Sequence, residues 1–147
     1  MIDRIKGICL RKSPAAVVVE VGGLGLSLAI PLSSFEKLGP VGGEVSLLTH
    51  LHVREDLMEL YGFSTIEERD LFAGLIKVSG VGPRMALAIQ SRFTPDELVQ
   101  VVADGDVKRL TTVKGIGRKT AERLMLELKN RLDSRTFEQA EPSTMKI

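Results

Sequence analysis

The sequence predicts an α+β protein in which a small β-barrel precedes an all-helical region, and three observations carry that prediction. The first 63 residues are β-branched and aliphatic stretches broken by Gly and Pro, which is how short strands and their turns read. From Thr65 onward the apolar residues recur at spacings near three and four, the period of a helix. Within that helical half, a nine-residue string returns 35 positions later without a gap. The reading divides the chain into a barrel over 1–64, a helical domain over 65–136 and a polar, Pro-containing tail over 137–147, with disorder expected from Ser134.

Taken in order, the candidate strands are Ile5 to Leu10, Ala16 to Val21, Leu24 to Ile30, Glu44 to Val53 and Leu57 to Tyr61. Gly22, Gly23 and Gly25 punctuate a hairpin. The string Gly23-Leu24-Gly25 lacks the third glycine and following helix of a dinucleotide-binding turn. Pro31 to Leu38 reads as one or two helical turns capped by Ser33 or Ser34. Ser64 is the expected cap of the next helix, whose apolar positions are Ile66, Leu71, Leu75, Ile76 and Val78. Thr94 precedes Pro95, an N-cap followed by a proline tolerated in the first turn, and Leu98, Val99, Val101 and Val102 supply an inner face. Asp106 opens a further helix, and Thr120 to Leu132 falls in the last long one.

Composition is that of an ordinary globular chain, 44% hydrophobic and 27% charged. The N-terminal segment carries Asp3, Arg4 and Lys6, and no run of about 18 apolar residues occurs, so neither a signal peptide nor a membrane span is expected. The lone Cys9 excludes an internal disulfide framework and points to a reducing, cytoplasmic compartment. The net charge of +1 hides an uneven distribution. Residues 1–64 hold six Lys/Arg against seven Asp/Glu, whereas residues 65–132 hold twelve against nine. Local cation clusters, rather than net charge, govern attraction to a polyanion.

The repeat carries the most specific chemistry. Val78-Ser79-Gly80-Val81-Gly82-Pro83-Arg84-Met85-Ala86 aligns on Val113-Lys114-Gly115-Ile116-Gly117-Arg118-Lys119-Thr120-Ala121. This is the helix-hairpin-helix pattern. Two glycines let the backbone turn tightly and approach a ligand closely, and the apolar residue between them plugs between the helices. The turn feeds a helix N-terminus whose free N–H groups favour an anion such as phosphate. Arg84, Arg118 and Lys119 add full charge within the first turn, while Ala86 and Ala121 allow close helix packing. Backbone-directed groups of this kind carry no base specificity. The expected backbone-binding set is therefore Ser79, Gly80, Val81, Gly82 and Arg84 with Lys114, Gly115, Ile116, Gly117, Arg118 and Lys119. Gly115 to Thr120 fails as a nucleotide P-loop, because Arg118 occupies the place of a required glycine and no strand precedes it.

A second feature sits between the last two candidate strands, where Val53-Arg54-Glu55-Asp56-Leu57 sets two adjacent carboxylates at a hairpin tip. These strings, with Leu60-Tyr61-Gly62-Phe63, Gly80-Val81-Gly82-Pro83 and Gly115 through Arg123, resemble the RuvA family over residues 1 to about 132. That resemblance implies an oligonucleotide-binding (OB) type barrel followed by a tandem helix-hairpin-helix domain. It implies a non-catalytic homotetramer, one or two per junction, that holds a four-way Holliday junction open and square. Glu55 and Asp56 then form an acidic pin at the centre, and the two hairpins grip the DNA arms. It also implies a RuvB-type ATPase motor and a RuvC-type resolvase as partners in branch migration, recombination and repair. Chains of the family usually continue through a linker into a third domain that binds the motor, whereas Ile147 is reached before any such domain.

Other constellations are weaker. His50 and His52 share one face of a strand but lack a third ligand, so no metal site is expected, and no cofactor is implied. No Ser/His/Asp or Cys/His set suggests covalent catalysis. Two rivals use the same motif: a DNA glycosylase, with Lys119 as its catalytic lysine, and a generic helix-hairpin-helix DNA-binding module. The first needs a larger helical domain around one hairpin, and the acidic tip and barrel count against the second.

Overall fold

The computed structural model describes residues 1–140, with side chains through Arg131. Five strands, β1 (Arg4–Ser13), β2 (Ala16–Val21), β3 (Leu24–Ala29), β4 (Glu44–Arg54) and β5 (Leu57–Phe63), close into a barrel in the order β1-β2-β3-β5-β4. All pairs are antiparallel except β3 with β5. Alternation along the strands turns Val17 and Val19 of β2 and Val45 and Leu47 of β4 inward, onto Ile5, Cys9, Leu28 and Ile30. Gly22 and Gly23 make the β2–β3 turn with φ of 56° and 86°, a conformation that glycine adopts without a Cβ penalty.

Every expected strand is present, and β1, β4 and β5 run longer than the apolar runs that announced them. The short helix α1 (Leu32–Glu36) covers one side of the barrel core with Phe35. Its N-cap is Pro31, with no side-chain cap bond, and neither Ser33 nor Ser34 caps it. Ser34 is buried and spends its hydroxyl on Glu68 instead.

Five helices follow: α2 (Ile66–Leu75), α3 (Pro83–Arg92), α4 (Pro95–Ala103), α5 (Val107–Thr111) and α6 (Arg118–Ala140). Thr94 and Asp106 cap α4 and α5 as expected. For α2 the cap is Thr65, one residue later than expected, whose hydroxyl accepts from the Glu68 N–H at 3.2 Å. Ser64 donates instead to the Glu68 carboxylate. Ile66 lies on the open side of α2, exposed rather than packed. Helix α6 continues past Ser134, where the polar composition suggested a tail, and residues 141–147 lie outside the described residues.

The helical core does not stop at the barrel. Tyr61 and Phe63 at the end of β5 belong to it, with ring centroids 4.9 and 5.0 Å from that of Phe72 on α2. A polar clasp flanks this aromatic seam. The Glu68 carboxylate, 3% exposed, accepts from Ser34 Oγ at 2.6 Å, Ser64 Oγ at 3.0 Å and Lys37 Nζ at 3.0 Å. Burial pushes this carboxyl up, but the three hydrogen bonds and the charge of Lys37 together hold it below its ordinary value. Gln90 Nε2 donates to the Glu68 carbonyl, Ser91 Oγ accepts from the Leu32 N–H, and Arg69 ties Asp3 to α2.

Packing and burial each set an expectation for stability. A Cβ at Gly7 would lie 2.1 Å from the Glu20 carbonyl oxygen, so Gly7→Ala should force β1 away from β2 and cost about 3 kcal/mol, read by chemical denaturation. Glu68 binds its proton less tightly folded than unfolded. Its contribution to stability is therefore full above the ordinary 4.5 and is lost as pH falls through the lowered folded value. Glu68→Gln should flatten the acid limb of the stability curve, and an unchanged acid limb would show that other carboxyls set it.

Candidate functional site

The repeat seen in the sequence is a repeat of geometry. In the first copy, α2 and α3 flank the turn; in the second, α5 and α6 do. The Val81 N–H donates to the Val78 carbonyl at 3.0 Å, and Ile116 does so to Val113 at 3.1 Å. Ala86 bonds back to Gly82 at 3.0 Å and Ala121 to Gly117 at 2.9 Å. Burial repeats at the same offset: Leu75 with Leu110, Val78 with Val113, Val81 with Ile116, Ala86 with Ala121, Ile89 with Leu124 and Phe93 with Leu128 are all buried. The match thus extends well beyond the string legible as a motif, because Leu/Ile and Phe/Leu exchanges preserve burial while hiding identity.

Within each turn the two glycines do different work. Gly80 and Gly115 have φ of 87° and 93°, so the turn itself requires them. Gly82 and Gly117 have no such backbone, and a Cβ at either would meet nothing within 4 Å. What their missing side chains leave open is the approach to the N-termini of α3 and α6 from outside.

The turns lie side by side. Arg123 on α6 brings its guanidinium to 3.9 Å from the Cβ position of Gly80, and Met85 on α3 reaches to 4.0 Å from that of Gly115. Arg123 appeared in the sequence only as part of a matching string. The signal for a role was its spacing of four from Lys119, which places both cations on one face of α6. Arg84 and Lys119 occupy equivalent positions in the two repeats and are exposed. Neither forms an ion pair among the described residues, nor does Lys114, whereas Arg118 pairs with Glu122 at 3.2 Å. The exposed set is completed by Ser79, Gly80 and Gly82 in the first turn and Gly115 and Gly117 in the second, with Val81 and Ile116 buried beneath them.

Glu55 and Asp56 form the two-residue turn between β4 and β5, with Arg54 opposite Leu57, and both carboxylates are exposed. The base of this hairpin adjoins the first turn across a cleft lined by His52, Arg54, Leu57, Glu59 and Tyr61 on one side and Gly82, Pro83 and Arg84 on the other. The structure therefore brings Arg54 and Leu57, which flank the acidic tip, into one cleft with a cationic turn. His50 and His52 are not equivalent. The His50 ring stands edge-on to Phe72 with centroids 5.2 Å apart, and burial, followed by the nearby His52, N-terminus and Arg69, holds its pKa below 6.5. No group of three or more metal-ligating side chains forms among the described residues. No described helix is long and apolar enough to cross a membrane.

Comparison with known proteins agrees with this architecture. Residues 1–62 match the family described as RuvA N terminal domain, and residues 72–130 match the SAM-like helix-hairpin-helix tandem. A Holliday junction branch migration complex subunit RuvA from Halorhodospira halophila is 56% identical over 133 residues, covering 90% of this chain and 65% of that protein. The subunit of the same name from Methylibium petroleiphilum is 52% identical over 90% of this chain and 69% of its own length. That from Delftia acidovorans is 48% identical over 95% of this chain and 74% of its own length. The chain thus spans about two thirds of the length of these relatives. With a closed barrel, a tandem hairpin domain and about half of its residues shared with these proteins, the chain belongs to the RuvA family.

Proposed function

We propose that this chain binds four-way DNA junctions, gripping arm backbones without regard to sequence through its two hairpin turns and presenting Glu55 and Asp56 to the crossover. The observation that carries this reading is the pair of equivalent turns set side by side, each with an open glycine and an exposed, unpaired cation at the start of a helix. Phosphates a few ångströms apart along a backbone suit two such turns better than one compact ligand would. The RuvA proteins it resembles are named as subunits of a Holliday junction branch migration complex. On this reading the protein acts as a non-catalytic cytoplasmic scaffold, a homotetramer whose four acidic tips converge, with a RuvB-type motor and a RuvC-type resolvase as partners. Its domains run over 1–64 and 65–136.

Sign gives the pin its role. Carboxylates near crossover phosphates repel them, while the surrounding cations attract the arms, so the junction is held open. Each exposed charge pair is worth about 1 kcal/mol or less in water, so the tips shape the complex more than they set its affinity.

A gel-shift comparing a synthetic four-way junction with linear duplex at fixed salt tests the whole reading, and equal affinity for both would favour a generic helix-hairpin-helix module. Arg84→Ala or Lys119→Ala should weaken binding to both forms and shallow the salt slope by about one unit for each phosphate no longer neutralised. Gly117→Val should cut DNA binding while leaving the melting temperature near that of the wild type, because the protein itself leaves that space empty. Gly115→Ala should instead destabilise the fold, by about 1 kcal/mol or more, through its positive φ. For the pin, Glu55→Gln with Asp56→Asn should raise affinity for duplex more than for junction. An unchanged ratio would remove the pin from the mechanism.

A further inference from the structure

The cleft between the acidic hairpin and the first turn has a composition that a backbone grip alone does not explain. It measures about 340 Å³, at the lower end of the range, roughly 300–1,000 Å³, typical of small-ligand sites. One wall is built from cross-strand neighbours. His52 stands opposite Glu59 and Arg54 opposite Leu57, and the two-residue period puts these side chains on one face of the β4–β5 ribbon. The facing wall is Pro83 and Arg84 at the start of α3.

Three details give the cleft direction. Arg54 Nε donates to His52 Nε2 at 3.2 Å, which steadies the guanidinium and leaves its terminal nitrogens without partners among the described residues. Arg84 is likewise unpaired among them, so two cations line the cleft. In the same lining, Glu59 is held in place by the hydroxyl of buried Tyr61, which donates to Glu59 Oε2. Burial, followed by the hydrogen bond and charge of Glu59, raises the Tyr61 pKa far above neutrality, so this hydroxyl stays protonated and the carboxylate stays anchored. Glu59 Oε1 and the second lone pair of Oε2 are left as acceptors.

A carboxylate repels phosphate and accepts N–H donors. In nucleic acid, the donors best matched to it are the adjacent N1–H and N2–H of guanine, and in duplex both the N1–H and one N2–H are occupied by pairing. We propose that this cleft is a subsite for a single unpaired nucleotide, with its phosphate at Arg54 and Arg84, its base against Leu57 and Pro83, and its pairing edge on Glu59, favouring guanine over thymine. The proposal rests on the DNA-binding reading above and extends it from backbone grip to capture of a base freed beside the crossover.

The test uses two single-stranded pentanucleotides, one all dT and one with a central dG, measured against the full chain by fluorescence anisotropy. The dG strand should bind about fivefold tighter, the scale of one good base contact. Glu59→Gln should erase that preference. Its amide oxygen still accepts from Tyr61, and its fold is checked by thermal melting. Arg54→Ala should weaken both strands while keeping their ratio. Equal binding of the two strands by the wild type, or a preference that survives Glu59→Gln, overturns the proposal. Junction and duplex binding measured on the same preparations separates the two readings. Retained junction selectivity with no dG preference sinks the subsite alone, whereas loss of DNA binding altogether sinks both.

Discussion

The structure depends on one junction inside the chain, where the end of the barrel becomes the beginning of the helical core. Tyr61 and Phe63 leave β5 facing Phe72 of α2, and Glu68 gathers hydroxyls from both sides and the ammonium of Lys37. Buried aromatic surface supplies most of the attraction there, but apolar contact is not directional. The carboxylate is. An acceptor that is 3% exposed and takes three side-chain hydrogen bonds tolerates little sliding, since a displaced carboxylate is left buried with its acceptors unmet. The barrel and the first hairpin are thereby held in one orientation.

That orientation gives the charges their use. A net charge of +1 describes a protein with no general attraction for nucleic acid. Packing separates the signs locally: cations at Arg84, Lys119 and Arg123 collect around two adjacent turns, while two carboxylates occupy the tip of the hairpin beside the first. Fields of opposite sign on one surface can distinguish DNA shapes that a uniform positive surface would bind alike.

The tandem hairpins also show how a structural repeat outlives its sequence. Only Val78, Gly80, Gly82 and Ala86 recur as identities in the aligned string, at Val113, Gly115, Gly117 and Ala121. Two of these positions are fixed by physics: the backbone is left-handed at Gly80 and Gly115, and Ala86 and Ala121 sit where helices touch. Elsewhere the core accepts any apolar residue of similar volume, so Ile89 and Leu124 diverge freely.

The amino-acid order by itself determined the class of each half, the five strands, the capped helices at Thr94 and Asp106, and the two turns, since all of these follow from local periodicity, turn chemistry and capping. The RuvA resemblance was legible for the same reason: its telling strings are two glycine turns, a hairpin tip and a buried strand end, all set by local chemistry. Local signals failed where a distant partner competed. Ser34 and Ser64 look like caps in sequence, yet both hydroxyls go to Glu68, and the helix caps fall at Pro31 and Thr65. Nothing local announced that Arg123 would lie at the first turn or that Arg54 would face Arg84 across a cleft. Those are contacts between segments far apart in the chain or across a strand pair, decided only when the barrel closes and the helices pack against it.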